Sequence, residues 1–417
     1  MKAERHKKIV NLIKGHGAVK VSVLAKELSV TKETIRSDLN TLAEKGIIKR
    51  CHGGAFIEFE TLDKVAKKEI IQFLECNDQI DKINLAGQPA VNKVCVLGSF
   101  DVDMISYLPR LPETVISYLP RLPETGESLL ANKFIFSPGG KGCNQALAAS
   151  YADAQVHFIT KIGTDQFSDY AVNFISSSRI KTSTIYQTEN HQTGTASIFV
   201  SEESGENIIS IYSGANMDIS SDEVKIQKDK IIDAGIILLQ LETNIEALKE
   251  IISIGNENNI PIILNPAPYN KIIDKLLPML DILTPNETEA SLLSGIEVVD
   301  LVSAKNAANA IYQKGVNKVV ITLGSKGSLA YDGYKYIYSP AYPAVVKNTA
   351  GAGDAFNGAL AASLAKGKQF SYALRYASAF ASLAVETSNA SEMPEDINVM
   401  HRINQTTYSQ IVTQSPE

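Results

Sequence analysis

The clearest candidate for chemistry is an acidic residue that closes a run of small residues near the C-terminal end of the chain. Asn348–Asp354 has the sequence Asn-Thr-Ala-Gly-Ala-Gly-Asp and leads into a helical pattern of small residues. Glycines let consecutive N–H groups point into one concavity, and a helix N-terminus there favours a phosphate or a developing anion. Asp354 would repel such an anion unless it accepts a proton from an attacking hydroxyl. An ordinary strand-to-helix turn explains the same residues, so both interpretations stay open.

Four other polar motifs accompany this stretch. They are Gly98–Asp103 with two carboxylates, Gly139–Gln145 with three glycines and two amides, Asn286–Glu289, and the glycine-containing loop Thr322–Gly327. Carboxylates and amides can pair with sugar hydroxyls, and glycine-rich loops allow close approach to phosphates. Each motif alone could be a structural turn or a helix cap. Their order along the chain favours one shared site.

Alternating strands and helices position these motifs. From Lys93 onward, buried-strand patterns alternate with amphipathic helices; the predicted strands are 94–97, 156–160, 236–240, 260–264, 282–284 and 319–322, and the predicted helices are 144–151 and 245–257. Such alternation predicts an α/β domain with a mostly parallel sheet and helices on both faces. Ligands of such sheets bind beyond the carboxyl ends of the strands, which is where the polar motifs fall.

A smaller helical pattern comes first in the chain. Apolar spacing predicts three helices, at residues 4–15, 21–28 and 32–44. Thr31 can cap the third of them, and residues 46–54 have the pattern of a short basic β-hairpin. Two helices joined by a three-residue turn and followed by a hairpin predict a winged helix-turn-helix over residues 1–56, whose third helix would enter the major groove of DNA. A helical protein-interaction module is the alternative.

Charge separates this head from the rest of the chain. Residues 1–56 contain twelve Lys or Arg and five Asp or Glu, a net charge of +7, whereas the remaining residues contain 28 and 41, a net charge of −13. A basic head on an acidic body indicates a polyanionic partner for the head.

Composition excludes several classes of protein. The chain of 417 residues is long enough for two or three domains, and its 44% hydrophobic and 21% charged residues are typical of globular proteins. The sequence has no apolar run of membrane-spanning length and no signal-peptide core. The four cysteines have no CxxC or metal-type spacing. We therefore expect a cytoplasmic protein without a membrane partner.

Two segments say less about function. Residues 57–91 mix charged and apolar residues, and we interpret them as a helical linker. Residues 105–114 are repeated without change as residues 116–125, within a tandem duplication over residues 105–126. Repeat architectures need three or more units, so we interpret this as a local duplication in an exposed segment, where insertions are tolerated. An error in the determined sequence is the competing explanation.

The head resembles the DNA-binding domain of DeoR-type bacterial regulators. The matching residues are Thr34–Leu39 (TIRSDL) and Lys49–Ala55 (KRCHGGA), with Ser37 where the family usually has a second Arg. The resemblance implies operator DNA as a partner. The residues expected to contact DNA are Lys32, Thr34, Arg36, Ser37, Lys49 and Arg50.

The remainder closely resembles the PfkB-type carbohydrate kinases, and among them the ribokinases, from about Val94 to about Pro394. The resemblance implies a ribokinase-like doubly wound domain at residues 92–410, with a small β lid within about 101–138 and 190–213. It implies ATP-dependent phosphorylation of a pentose, D-ribose to D-ribose 5-phosphate. The lid would also form the contact of a homodimer.

The resemblance also assigns roles to residues. Asp354 is the expected catalytic base, and the expected sugar contacts are Asp101, Asp103, Gly139, Gly140, Lys141, Asn144, Glu242 and Asp354. The anion hole would consist of the N–H groups of Ala350, Gly351, Ala352 and Gly353. ATP would contact Asn286, Thr322, Gly324, Ser325, Lys326, Gly327, Gly353 and Asp354. Glu289 would hold Mg²⁺ largely through water, and a potassium ion would lie among Asn348, Ala350, Ala384, Thr387 and Asn389.

Three departures from the family pattern leave alternatives open. Asp101 stands where ribokinases have Asn, and Asn348 replaces an Asp of the potassium site. The loop at residues 384–393 is about one residue short, with Thr387 and Asn389 where the family often has Arg and Gly. The alternatives are a kinase for deoxyribose or another furanose, and a sugar-sensing transcription regulator with weak kinase activity.

Overall fold

The computed structural model describes residues 5, 6, 8, 9, 18–21, 24, 25, 28, 30–44, 48–51, 54–56, 90–108, 133–201, 207–406 and 411–414. Contacts divide the chain into two units, residues 1–90 with 367–370 and residues 91–366 with 371–417. Nearly all of the predicted linker at 57–91, and most of the duplication at 105–126, lie outside the described residues.

Among its described residues, the first unit has one long helix and a small sheet, and most residues of the predicted helices 4–15 and 21–28 lie outside the described residues. Helix α1 spans Lys32–Glu44, and the antiparallel strands β1 (Ala18–Lys20), β2 (Lys49–Cys51) and β3 (Gly54–Phe56) pair in the order β1-β3-β2. The predicted third helix and the hairpin are confirmed. Strand β1 was not predicted, because three residues are too few for an alternating pattern to be visible.

Capping and burial explain helix α1. The hydroxyl oxygen of Thr31 accepts a hydrogen bond from the N–H of Thr34 at 3.2 Å, which satisfies one of the unpaired donors of the first turn. Ile35, Leu39 and Leu42 are buried in the apolar core of the head, as their spacing predicted. The side chains of Lys32, Glu33, Arg36, Ser37 and Asn40 are exposed, whereas Asp38 is buried.

The second unit consists of strands and helices in alternation. In chain order they are β4 (Lys93–Leu97), β5 (Asp101–Leu108), β6 (Lys133–Gly139), α2 (Lys141–Tyr151), β7 (Gln155–Ile162), α3 (Ser168–Ser177), β8 (Thr182–Gln187), β9 (Gly194–Ser201), β10 (Asn207–Tyr212), α4 (Ser221–Ile226), α5 (Lys228–Ile232), β11 (Ile236–Leu239), α6 (Ile245–Glu257), β12 (Ile262–Leu264), β13 (Ile282–Leu283), α7 (Glu287–Ser294), α8 (Leu301–Gln313), β14 (Lys318–Thr322), β15 (Ser328–Tyr331), β16 (Lys335–Ser339), α9 (Ala352–Ala365), α10 (Phe370–Ala384), α11 (Asp396–Gln405) and β17 (Ile411–Gln414).

A ten-stranded sheet organises this unit. Its order is β17-β16-β15-β14-β13-β12-β11-β4-β7-β8, parallel from β8 to β14 and antiparallel from β14 to β17. The α/β class and the mostly parallel sheet are confirmed. Strand β17 lies beyond residue 410, the predicted end of the kinase domain, so the sheet extends past that boundary.

Continuous apolar runs explain the parallel part of the sheet. Strand β11 has the sequence Ile-Ile-Leu-Leu with all four residues buried, and β12 is equally apolar and buried. Strands covered on both faces have such runs instead of an alternating pattern. The predicted strands at 94–97, 236–240 and 319–322 are confirmed to within two residues at each end, and helix α6 has the predicted bounds.

Four strands form a separate sheet in the order β10-β9-β5-β6. Strand β5 begins at Asp101, directly after the loop that leaves β4, and pairs with β9 in parallel and with β6 antiparallel. These strands lie within the segments predicted as a lid. No helix of the described residues is long and apolar enough to cross a membrane.

Candidate active site

Strand order places the polar motifs together. In the sheet, β7 lies on one side of β4 and β11 lies on the other side. The direction in which successive strands are added therefore reverses between β4 and β11. In open α/β sheets this is where ligands bind, beyond the carboxyl ends of the strands. Ser99 follows β4 and Glu242 follows β11, and the two side chains share a hydrogen bond of 2.5 Å.

Two helix N-termini meet at Asp354. This residue lies in the first turn of α9, after a turn in which Gly351 has a φ of 78° that suits glycine. The carboxylate accepts hydrogen bonds from Asn144 Nδ2 at 3.3 Å and from Gln145 Nε2 at 2.9 Å, both in the first turns of α2. Helices α2 and α9 approach this closely because Gly358 has no side chain; a Cβ there would overlap with the backbone of α2.

Glu242 joins the loop after β4 to the start of helix α2. Its Oε2 accepts hydrogen bonds from Ser99 Oγ at 2.5 Å and from the N–H of Lys141 at 2.9 Å. Burial raises the pKa of Glu242, against the opposing effect of Lys141 and of these hydrogen bonds. The carboxylate thereby ties the start of helix α2 to the carboxyl end of β11.

Asp101 is held by an amide that the sequence did not identify. Its Oδ1 accepts a hydrogen bond from Asn216 Nδ2 at 2.7 Å, and Asn216 Oδ1 accepts one from the N–H of Phe100 at 3.0 Å. Burial raises the pKa of Asp101 well above its usual range, and the nearby carboxylates of Glu242 and Asp103 raise it further. The substitution of Asn by Asp at this position is therefore partly compensated by a tendency to stay protonated.

Asp103 is the carboxylate best placed to bind a ligand. It is 9% exposed, and its side chain forms no hydrogen bond with any other described residue. Gly139 makes room for it, since a Cβ at that position would overlap with the carboxylate. Burial raises the pKa of Asp103 to about 7, with further contributions from Glu242 and Asp354.

Lys141 supplies the positive charge of the site. Asp354 raises the pKa of its ammonium group most strongly, with Glu242, Glu289 and Asp101 adding to the effect. In the part of the chain that the structure describes, the Lys141 ammonium has no carboxylate within ion-pair distance. The charge is therefore shared among several acids and remains available to an anion.

The predicted anion hole is only partly open. The N–H of Ala350 donates to Asn348 Oδ1 at 2.9 Å, and the N–H of Ala352 donates to the carbonyl oxygen of Thr349 at 3.3 Å. The first N–H groups of a helix have no intrahelical acceptor. Among the described residues, the N–H groups of Gly351 and Gly353 have no hydrogen-bond partner, and these two are the available donors.

The residues expected to bind nucleotide and magnesium form a helix cap. Asn286 Oδ1 accepts from the N–H of Glu289 at 2.8 Å, and Glu289 Oε2 accepts from the N–H of Asn286 at 2.9 Å, a capping box for α7. Burial raises the pKa of Glu289. The second oxygen of this carboxylate lies outside the capping box. This arrangement fits magnesium, which commonly uses one or two carboxylates together with water and substrate phosphates.

The loop after β14 lies beside this cap. Asn286 forms an isolated parallel bridge with Thr322, and Gly324–Lys326 form one 3₁₀ turn that ends at Gly327. Lys326 Nζ donates to Glu287 Oε1 at 3.1 Å, so its charge is paired in the free protein. The structure therefore brings the predicted ATP-binding residues of both loops to one edge of the sheet.

Residues 91–397 match the model of the pfkB family of carbohydrate kinases. This chain belongs to that family. It is an ATP-dependent carbohydrate kinase with an N-terminal domain that matches the DeoR-like helix-turn-helix model over residues 5–60.

Curated relatives cover the kinase domain. The ribokinase of Haemophilus influenzae is 37% identical over 265 residues, which are 64% of this chain and 86% of that protein. The deoxyribokinase of Salmonella typhi is 33% identical over 261 residues, 62% of this chain and 85% of that protein. A bifunctional ribokinase/ribose-5-phosphate isomerase A of Fructilactobacillus sanfranciscensis is 37% identical over 283 residues, but the chain spans only 52% of that protein.

Solved structures agree with this assignment. The ribokinase of Arabidopsis thaliana, complexed with ribose and ATP, is 30% identical and superposes with a TM-score of 0.67 over 76% of this chain and 100% of that chain. The ribokinase of Thermotoga maritima is 28% identical, with a TM-score of 0.65. The ribokinase-like fold of the kinase domain follows from these matches.

Asn348 does not act as a free ligand in this kinase. Its Oδ1 accepts the hydrogen bond from the N–H of Ala350, and its Nδ2 donates to the carbonyl oxygen of Ser388 at 3.0 Å. The amide therefore joins the loop before α9 to the loop after α10 directly. The Asp that the family has here could not donate to that carbonyl group.

Thr387 occupies the remaining part of the predicted potassium site. Its hydroxyl oxygen lies 2.8 Å from the carbonyl oxygen of Ala384 and 3.1 Å from that of Asn389. A hard monovalent cation would need these oxygens as ligands. The Thr387 hydroxyl has a single proton and can donate to only one of these carbonyl oxygens at a time, so a potassium ion at this position stays a prediction.

The sequence did not assign a role to several residues that hold the site together. Most of them directly follow a buried strand or lie inside a quoted motif, and that position is the signal that could have identified them. They are Ser99, Gln145, Asn216, Gln240 and Asn265.

Four of the residues expected to contact DNA lie on helix α1. Lys32, Arg36 and Ser37 are exposed and Thr34 is half-buried, while Arg36 forms an ion pair of 3.4 Å with Glu33. Lys49 and Arg50 lie in strand β2, and their side chains are outside the described residues.

Proposed function

We propose that this kinase transfers the γ-phosphoryl group of ATP to the primary hydroxyl of a pentose, D-ribose, and forms D-ribose 5-phosphate. One observation supports this most directly. Asp354 lies in the first turn of a helix beside two open N–H donors, and it is close enough to Asp103, Glu242 and Lys141 to raise the pKa of each. A base, an anion-binding turn and a polyol-binding cluster would then share one site. The ribokinase relatives support ribose as the sugar.

Each part of the site has a separate task in this reaction. Asp103, together with Asp101 and Asn144, would accept and donate hydrogen bonds to vicinal hydroxyls of the sugar. Asp354 would accept the proton of the attacking hydroxyl, and the N–H groups of Gly351 and Gly353 would stabilise negative charge on the transferred phosphoryl group. Lys141 would balance that charge.

Magnesium would bind at Glu289 largely through water and would neutralise phosphate charge when bound. The loop at Thr322–Gly327 would lie against the nucleotide, and opening of the Lys326–Glu287 ion pair would free an ammonium group for phosphate. Potassium would bind only weakly near Thr387, because both polar atoms of the Asn348 amide already have protein partners.

Deoxyribose is the second candidate, because Asp101 is a carboxylate and a deoxyribokinase is 33% identical. A kinase-derived sugar sensor with weak activity is the third. We propose to measure ADP release by the purified full chain with ATP, Mg²⁺ and a panel of pentoses and hexoses. The highest kcat/KM for D-ribose supports the proposal, the highest value for deoxyribose replaces the sugar, and no turnover with any sugar contradicts the catalytic function.

We also propose that the head binds operator DNA through α1 and β2, so that the same chain phosphorylates a sugar and regulates transcription.

A homodimer through the four-stranded sheet is the proposed assembly. Phe134 and Phe136 of β6 are 54% and 51% exposed, and Tyr212 of β10, on the same face by strand register, is 48% exposed. Such apolar side chains on one small sheet are typical of an interaction surface. Sedimentation of the full chain and of Phe134→Ser tests this assembly. A dimer that Phe134→Ser dissociates supports it, and a full chain that sediments as a monomer contradicts it.

A further inference from the structure

A buried chain of amide side chains lies beneath Asp354. Gln145 Nε2 donates to Asp354 Oδ1 at 2.9 Å and to Asn265 Oδ1 at 3.1 Å, while Gln145 Oε1 accepts from Gln240 Nε2 at 2.7 Å. Gln145 is completely buried, and Gln240 and Asn265 are buried as well. Each polar atom of the Gln145 amide therefore has a partner, and water has no access to replace one.

A second arm returns to the backbone next to Asp354. Asn265 Nδ2 donates to the carbonyl oxygen of Thr284 at 3.0 Å, and Thr284 Oγ1 donates to Asn357 Oδ1 at 2.5 Å. Asn357 Nδ2 then donates to the carbonyl oxygen of Gly353 at 2.8 Å. The chain of hydrogen bonds thus contacts the carboxylate of the base at one end and the backbone of the anion-binding turn at the other.

Two backbone carbonyl groups fix the direction of every bond in this chain. The Thr284 carbonyl group can only accept, so Asn265 must turn its Nδ2 toward it and its Oδ1 toward Gln145. Gln145 must then present Nε2 to both Asn265 and Asp354. The Gly353 carbonyl group orients Asn357 in the same way. A reversed amide at any point would place two acceptors in contact inside the protein, which costs the full penalty of an unpaired buried group.

The consequence for Asp354 is a carboxylate with two unequal oxygens. Oδ1 is bound at 2.9 Å by an amide that cannot rotate, whereas Oδ2 has only the longer contact of 3.3 Å with Asn144. We propose that Gln145 is a positioning residue that locks the Asp354 carboxylate, so that Oδ2 is the oxygen that takes the proton of the sugar hydroxyl. Asn265 fixes the Gln145 amide, and Thr284 fixes the Gly353 backbone through Asn357. This rests on the proposed role of Asp354 as the base.

The test compares steady-state kinetics of the full chain and of Gln145→Met, an unbranched apolar replacement of similar length. A displacement of a catalytic group by about 1 Å lowers turnover by about 100-fold, so we expect kcat to fall by roughly 10- to 100-fold with the sugar KM within about threefold. The matched control is Gln227→Met. Gln227 is also buried and hydrogen-bonded, but its partners Thr184 and Tyr186 lie on β8, and its kcat should be unchanged.

A double-mutant cycle separates positioning from general damage. If Gln145 acts through Asp354, then Gln145→Met in the Asp354→Asn background should lower kcat by less than about twofold, because the group to be positioned has already lost its function. A full additive loss would overturn the proposal, as would a folded Gln145→Met enzyme with the kcat of the unmodified chain.

The isosteric change Thr284→Val keeps the proposal testable if Gln145→Met does not fold. It removes only the hydroxyl that binds Asn357, and a fall in kcat with an unchanged sugar KM is again expected. An unchanged kcat in Thr284→Val together with an unfolded Gln145→Met would contradict the network's catalytic role. Absence of turnover by the unmodified chain with every sugar would instead count against the proposed function.

Discussion

Replacing Asp103 by Asn should stabilise the ligand-free kinase domain at alkaline pH. The pKa of Asp103 is raised to about 7, chiefly by burial and then by the carboxylates of Glu242 and Asp354. An unperturbed Asp titrates near pH 3.9, and each pKa unit corresponds to about 1.4 kcal/mol. Keeping this side chain ionised in the folded state therefore costs of the order of 4 kcal/mol at high pH.

The sign of the pH dependence follows from proton binding. Between about pH 4 and pH 7 the folded protein keeps a proton on Asp103 that the unfolded chain has released, so the free energy of unfolding falls as the pH rises. Asn cannot ionise and does not have this dependence. From about pH 5 to about pH 8, linkage predicts that Asp103→Asn gains roughly 2.5 kcal/mol of stability relative to the unmodified protein.

Urea unfolding followed by far-UV circular dichroism measures this difference at both pH values without ligand. The exposed Asp229 provides a matched control, since Asp229→Asn removes a carboxylate that has solvent around it. A relative gain for Asp103→Asn that stays below about 0.5 kcal/mol, or that matches the control, would refute the reasoning. The same variant should have a raised sugar KM, because the destabilising carboxylate is a proposed sugar ligand.

Three further predictions concern other parts of the chain. Because both amide atoms of Asn348 have protein partners, potassium at constant ionic strength should activate the kinase only weakly, and Asn348→Asp should strengthen the activation; strong activation of the unmodified chain would contradict this. DNA affinity of the full chain should fall steeply with salt, with the slope of log K against log salt reduced by about 1 in Lys32→Ala and in Arg36→Ala; a salt-independent gel shift would exclude phosphate contacts. Burial alone would raise the pKa of Asp38, but hydrogen bonds from Arg5 and His6 outweigh burial and lower that pKa. The head should therefore lose stability as the pH falls below about 4. Asp38→Asn should remove this loss of stability in acid.

Local patterns in the sequence predicted helix α1, the hairpin of the head and the central parallel strands. Helix α1 has a cap residue and apolar side chains at helical spacing. Strands β11 and β12 are uninterrupted apolar runs. Each of these patterns is visible in a short stretch of sequence, so it can be recognised without knowledge of distant residues. Strands β1 and β17 were not predicted. Each has three or four residues whose strand conformation depends on pairing with β3 or β16, and no local pattern reports that pairing.

The site was predicted to the level of motifs but not to the level of hydrogen bonds. Gly139 and Gly140 indicated close approach, and the structure shows that the Asp103 carboxylate and the backbone of residues 99–101 approach them. The hydrogen-bond partners of the side chains could not be predicted from these motifs. Gln145 and Asn265 are separated by 120 residues, and the contact follows only from the order of the strands. The direct link from Asn348 to Ser388 likewise depends on how two distant loops meet.

The most direct test of the account is the reaction itself in the unmodified chain and in Asp354→Asn. Both proteins are incubated with D-ribose, ATP and Mg²⁺, and the sugar phosphate is identified and quantified by ³¹P nuclear magnetic resonance, with ADP release as the rate. The account predicts D-ribose 5-phosphate as the product, a kcat lowered by about two to four orders of magnitude in Asp354→Asn, and a largely unchanged affinity for ribose. An Asp354→Asn enzyme that retains most of its turnover would contradict the assignment of the base and of the site built around it.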